Sequence, residues 1–251
     1  PLPDKNVAFG GSEHDWYADM AWMISRLDPA DPGSLRLAVK GGHNDEMHNQ
    51  NDVGSLIVVN AGRVVLTDPG RGRYSKAYFG PDRYDNIMAS SRGHSVPVVN
   101  GHEQAEGADH AATVVAHSHG AERDNLTIDM AAAYPAEAGL TELRRSVTLD
   151  RQAPGGRIAL SDAFAFANGG GDFQSVLVTP LDVAVDDGAV RIGGTGGVRV
   201  AFDPAAVTVT TEIHRGVEKQ YAPPVDLTRV LFAAKARPSQ GEVALEITPL
   251  N

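Results

Sequence analysis

The sequence predicts an all-β protein, a large antiparallel β-sandwich with few or no helices, and three observations carry that expectation. Short runs of β-branched and apolar residues recur through the second half of the chain with turn residues between them. Gly (27) and Pro (15) together supply about one residue in six of the 251, above the usual share of roughly one in eight, with no collagen period. Strands do not alternate with helical patterns as a parallel sheet would require. A chain of this length can bury roughly 70–75% of its unfolded surface, so a large core is possible; length alone allows one large β domain or two smaller ones, and a single sandwich domain over residues 1–251 is expected.

Taken in order, the first segment carries a conflict. Trp16, Met20, Met23, Ile24 and Leu27 lie at helical spacing with Ser12 as a candidate N-cap, while Met20, Trp22 and Ile24 alternate as a strand does. Leu35–Val39, Ser55–Val59 and Arg63–Thr67 read as strands, the last two joined by a hairpin turn at Asn60-Ala61-Gly62. Thr113–His117, Leu126–Met130, Val147–Leu149, Arg157–Leu160 and Ser175–Val178 follow. Asp182–Ile192 reads as a hairpin with Asp187-Gly188 at its tip, and Val198–Phe202, Ala206–Ile213, Thr228–Ala234 and Glu242–Ile247 complete the series.

Composition excludes several function classes. The absence of Cys removes disulfides, thiolate metal sites and Cys nucleophiles. No run of 18 apolar residues is present, so no transmembrane helix is expected. A net charge of −10 argues against a general nucleic-acid binder. The Gly-rich stretches at Gly169–Gly171 and Gly193–Gly197 lack the Lys-[Ser/Thr] ending of a phosphate loop, and no Gly-x-Ser-x-Gly elbow occurs. Charge is uneven: Arg63, Arg71, Arg73, Lys76, Arg83 and Arg92 face only Asp68, Asp82 and Asp85 in that stretch. It is either a solvated loop or the edge that meets an anionic ligand. The chain begins at Pro1 with no signal-peptide pattern, and is expected to be a processed or excised piece of something longer.

The densest polar segment, GGHNDEMHNQND (Gly41–Asp52), lies between two apolar strands and gathers His43, His48, Asp45, Glu46 and Asp52 with several carboxamides. Such groups bind metal, move protons or hydrogen-bond sugars. LTDPGRGRYS then places Asp68 at a strand end, and SSRGHSVPVVNG places His94 at the mouth of another strand. His43 reads equally as a loop-packing residue or a substrate contact. His117 and His119 are spaced to share one strand face, as a divalent ligand pair would, but no carboxylate motif accompanies them and an exposed strand face is expected. His14, His102, His110 and His214 have no partner that the sequence names.

These motifs, GGHNDEMHNQNDVGSLIV, LTDPGRGRYS and RYDNIMASSRGHSVPVVNG, resemble the heparinase II/III-like polysaccharide lyases, with the alginate oligosaccharide lyases as relatives. The likeness runs from about residue 35 to 101 and continues more weakly over Asp129–Arg151. It implies that the chain is the C-terminal β-sandwich region of such an enzyme, partnered by an (α/α) toroid that is absent from this sequence, and acting on an acidic, uronic-acid-containing glycan by β-elimination. By motif position it implies that His48 is the catalytic histidine, sharing proton transfer with a toroid tyrosine. Similar lyases place aromatic and basic side chains between Asp68 and His94 against the acidic sugar, so Tyr74 or Tyr84 is expected either to contact substrate or to pack in the core, and Arg71, Arg73 or Arg92 either to pair with its carboxylate or to form an ion pair within the protein. The family's single divalent metal, for which zinc is the fitting ion, falls at Gln50, Asp68 and His94. Gln50 departs from the pattern, since a neutral amide is a poor zinc ligand. Either it completes a weak site or it replaces metal bonding by hydrogen bonds. The alternative to an enzyme part is a non-catalytic sandwich that binds acidic glycans or packs on a partner domain.

Overall fold

The computed structural model describes residues 11–76 and 78–250. Among them the only helical segments are five three-residue 3-10 turns; everything else regular is strand. Among the described residues no helix is long and apolar enough to cross a membrane. An N-terminal sheet holds five strands in the order His14–Tyr17, Trp22–Arg26, Arg36–Val39, Leu56–Asn60 and Arg63–Leu66. A large sheet holds eight: Val183–Asp186, Ala189–Ile192, Val198–Ala201, Gln240–Pro249, Arg157–Phe166, Leu140–Asp150, Arg123–Asp129 and Thr113–Ser118. A third sheet orders Val207–Lys219, Ala222–Ala234, Phe173–Thr179 and Val98–Val99.

All the pairings are antiparallel, and alternation decides which face is inside. Ile158, Leu160 and Phe164 of one central strand and Val243, Leu245 and Ile247 of its neighbour are buried, with more exposed residues between them. They share one core with Leu37, Val58 and Leu66 of the N-terminal sheet and Phe173, Leu177 and Phe232 of the third sheet. The latter two sheets meet where Thr67 N donates to Val178 O at 3.0 Å, and together they form the layer opposite the large sheet. The inward face also carries a charged cross-strand pair: Arg145 and Asp162 are in register and fully buried.

The first segment resolves as strand. His14–Tyr17 and Trp22–Arg26 pair as a hairpin around the 3-10 turn Ala18–Met20. Strand pairing satisfies backbone groups and buries Met23 and Ser25, while Trp22 and Ile24 face the other way. Ser12 does not cap a helix; its hydroxyl donates to His14 O and Asp15 Oδ1. The turn at Ala61-Gly62 has positive φ at both residues (51° and 70°), the geometry that matches strand twist.

His14 and His117 turn out to have partners. Trp16 stacks on His117 and His14 on His119, with ring centroids 4.0 and 3.9 Å apart, where the edge strand Thr113–Ser118 meets the N-terminal sheet. His117 is in register with core residue Leu126, so both face the opposing layer. Burial lowers the pKa of His117 below 6.5, and the neighbouring His119 and His14 add to this against the pull of Asp124. The unfolded chain therefore binds more protons than the folded one, so stability is complete above about pH 6.5 and falls as pH drops below it. Urea midpoints at pH 7.5 and 5.5 should show that loss, and His117→Gln should reduce it. An unchanged pH dependence in the variant would rule this origin out.

Candidate functional site

The polar segment 41–52 and the two later motifs converge at one end of the N-terminal sheet. Asp52, Asp68 and His94 each point a ligand-type atom into one cluster, all within 4.8 Å of one another. His94 is fully buried; its Nδ1 has no hydrogen-bond partner among the described residues and lies 3.6 Å from Asp68 Oδ2, too far for a hydrogen bond. Gly70 N binds the other Asp68 oxygen, Oδ1, at 2.6 Å. Lys40 holds Asp52 Oδ1 at 2.5 Å and Glu46 at 3.1 Å. Burial nonetheless keeps the Asp52 carboxyl above its ordinary pKa, although His94 and Lys40 pull it down. An orphaned imidazole nitrogen beside two carboxylates is a donor set that fits a divalent cation.

Local structure explains how these side chains arrive. Asp68 follows the strand Arg63–Leu66 and closes a turn at Pro69-Gly70. The amide of Gln50 donates to Gly70 O at 2.6 Å, so Gln50 clamps the loop that carries Asp68. His94 follows the 3-10 turn Ser91–Gly93. A Cβ at Gly93 would sit 2.3 Å from the carbonyl oxygen of Ile87, which is why that turn needs glycine. Ser91 Oγ donates to Asn51 O at 2.8 Å, tying the His94 turn to the polar segment. From beneath, Arg145 donates to Gly54 O (2.8 Å) and Ser95 O (2.6 Å), bracing the chain beside both Asp52 and His94.

His48 is exposed, with φ 59°, a backbone region that His adopts uncommonly. It borders a cavity of about 450 Å³ whose walls include Asn49, Gln50, Asp52, Asp68, Trp22 and Ile57. The His48 ring lies 5.8 Å from Tyr74 and 5.9 Å from Phe79, centroid to centroid. Arg71 sits over Tyr74 at 5.2 Å. Tyr84 accepts a hydrogen bond from Asn49 at 3.1 Å, next to His48.

The structure thus brings His48, Gln50, Asp68, Arg71, Tyr74 and Tyr84 to one region, with His94 beneath. Arg92 is occupied within the protein: it donates to Asp85 O at 2.8 Å and lies 3.4 Å from Glu103. Besides Arg71, Arg83 is a second basic side chain among the aromatics, over Tyr78, Phe79 and Tyr84 at 5.2–5.7 Å. Asp52, Lys40, Phe79 and Arg83 are the neighbours that the motif reading left without a role. Asp52 was visible in the polar segment, but nothing local distinguishes it from Asp45 or Glu46 until the fold buries it.

Residues 6–218 match the family described as "Heparinase II/III-like, C-terminal". No curated protein sequence matches the chain. Among solved structures, the heparan sulfate lyase HepC from Pedobacter heparinus superposes with a TM-score of 0.78 at 16% identity, covering 96% of this chain and 37% of that one. The heparinase III BT4657 gene product gives 0.75 at 14% identity, covering 94% and 36%. A further heparinase III structure gives 0.71 at 15%, covering 95% and 37%. At these identities the likeness to the structures is one of fold, and the chain spans little more than a third of their length. Since the family match covers most of the sequence, the chain belongs to the heparinase II/III-like family and corresponds to its C-terminal domain.

Proposed function

We propose that this chain is the β-sandwich portion of a polysaccharide lyase that cleaves uronic-acid-containing glycans, heparan- or alginate-like, by β-elimination. The observation that supports it most is the presentation of His48: an exposed imidazole on a strained backbone, flanked by Tyr74 and Phe79 with Arg71 over Tyr74, beside a buried carboxylate–imidazole cluster. Strained positive-φ residues persist where the surroundings hold them, and they gather at functional sites.

In the reaction a base removes the C5 proton of the uronate. The released electron pair forms the C4–C5 double bond, the C4–O bond breaks, and the departing glycosidic oxygen takes a proton. His48 serves as one of the two proton-transfer groups, and a tyrosine of a partner toroid serves as the other. Arg71 offsets the charge of the uronate carboxylate, whose neutralisation makes the C5 proton acidic enough to leave. Tyr74 and Tyr84 flank the sugar. Asp52, Asp68 and His94 hold a divalent cation, zinc by donor type, which clamps the loops around His48 when bound. Gln50 acts as the brace of the Asp68 loop.

Product formation is followed as the ultraviolet-absorbing unsaturated uronate, using this domain with its toroid and a His48 variant as control. Glycan binding with no product from the unsubstituted enzyme would favour the non-catalytic module instead. Metal content tests the cluster separately. The purified protein should carry about one equivalent of zinc, Asp68→Ala should carry almost none, and Gln50→Ala should retain it with affinity lowered about 10-fold, the usual cost of losing an outer support. Zinc retained in full by Asp68→Ala would place the metal elsewhere.

A further inference from the structure

The longest hairpin of the protein ends at the candidate site rather than in the core. Val207–Lys219 and Ala222–Ala234 pair with two register shifts toward their tip, and the Lys219↔Ala222 pair leaves Gln220-Tyr221 as a two-residue loop. Backbone contacts fasten this loop to the segment after Asp68. Gly72 bridges Lys219, Gln220 N donates to Arg71 O at 3.1 Å, and Tyr74 N donates to Gln220 Oε1 at 2.8 Å.

At the apex, Tyr221 is 88% exposed and holds φ 60°. Glycine or asparagine suits that position, and a bulky residue there strains the backbone. A ring that buries almost nothing does not offset that strain by packing. What Tyr221 does meet is Arg71, whose guanidinium carbon lies 5.4 Å from its ring centre and 5.2 Å from that of Tyr74. A continuous line therefore runs from His48 through Tyr74 and Arg71 to Tyr221. Beside it lies an open depression of about 340 Å³ bordered by Arg73, Glu218, Lys219 and Tyr221. In a protein of net charge −10, Arg73 and Lys219 outnumber the single acid, Glu218, that borders it.

We infer that the hairpin tip is an outer subsite for an acidic glycan: a sugar ring stacks on Tyr221, and Arg73 and Lys219 pair with its carboxylate or sulfate groups. The inference rests on the reading of the His48 region as the centre of an acidic-glycan site. A ring and a mobile ammonium give a tolerant grip, suited to holding a chain some distance from the bond that breaks.

The test is titration calorimetry of this chain with a heparan sulfate octasaccharide and a disaccharide from the same polymer. Tyr221→Gly removes the ring and relieves the backbone, so its melting temperature should stay level or rise. Its octasaccharide Kd should weaken about 5- to 20-fold while the disaccharide Kd is retained, and Tyr221→Phe should restore the octasaccharide affinity. Lys219→Ala should flatten the salt dependence of octasaccharide binding. Equal octasaccharide affinity in wild type and Tyr221→Gly would overturn the subsite and leave the lyase reading standing. Failure of the wild type to bind the octasaccharide would overturn the subsite together with glycan binding. Octasaccharide binding that depends on Tyr221, with no product from the enzyme joined to its toroid, would support the subsite while sinking the lyase reading.

Discussion

His48→Asn is expected to lower kcat for β-elimination by about 10²–10⁴, the usual contribution of a positioned proton-transfer group, with a smaller change in KM. Asparagine is the informative replacement because it tolerates the left-handed backbone (φ 59°) that His48 occupies. The loop should therefore keep its course, and the loss should report on the imidazole itself. His48→Ala should lose as much in rate and add a small penalty from the strained backbone. Both are measured as initial rates of unsaturated product by the enzyme with its toroid. A His48→Asn enzyme running at the wild-type rate would remove His48 from the chemistry and leave it as a wall of the cavity.

The second large effect is on stability. Arg145→Met should destabilise the fold by about 3–5 kcal/mol, because breaking a buried pair leaves a charge without compensation. Arg145 and Asp162 are both 0% exposed and joined by two hydrogen bonds of 2.7 Å. Asp162 also accepts from Ser175 Oγ at 2.5 Å. The other guanidinium nitrogen holds Gly54 O and Ser95 O, so the variant also frees the loops that carry Asp52 and His94. At this size each kcal/mol moves Tm by roughly 2–4 °C, and zinc affinity should fall alongside. Arg145→Met with Asp162→Leu should lie closer to wild type in stability than either single change, since no buried charge is left alone. A single variant losing less than about 1 kcal/mol would mean that Asp162 finds solvent or another partner.

Local patterns carried most of the architecture. Arg157–Phe166 and Gln240–Pro249 show the two-residue period of a half-buried strand, and the turns at Ala61-Gly62 and Asp187-Gly188 stand where the hairpins close. The segment around Trp16–Leu27 was ambiguous because helical and strand spacing coincide over so few residues. Pairing with Arg36–Val39 settled it, and the residues turned inward are Met23 and Ser25 rather than Trp22 and Ile24. The strands of the second half also run longer than their apolar runs suggest. Leu140–Asp150 contains Arg145 on its inward face, a residue that reads as a strand boundary until its partner Asp162 is known.

The sequence by itself determined an all-β chain, the family motifs, and the identity of His48, Asp68 and His94 as residues worth placing together. Those are properties of local composition, periodicity and ordered motifs, all of which survive without coordinates. Only the tertiary structure decided that Asp52 joins Asp68 and His94 and that Gln50 spends its amide on Gly70. It alone turned Arg92 toward Asp85 and Glu103, and brought Tyr221 against Arg71. The physical reason is that burial and pairing depend on residues far apart in the chain. A carboxylate in a polar loop is solvated in the sequence and desolvated in the fold. A tyrosine at a distant hairpin tip becomes part of a site only when the sheets close around their common core.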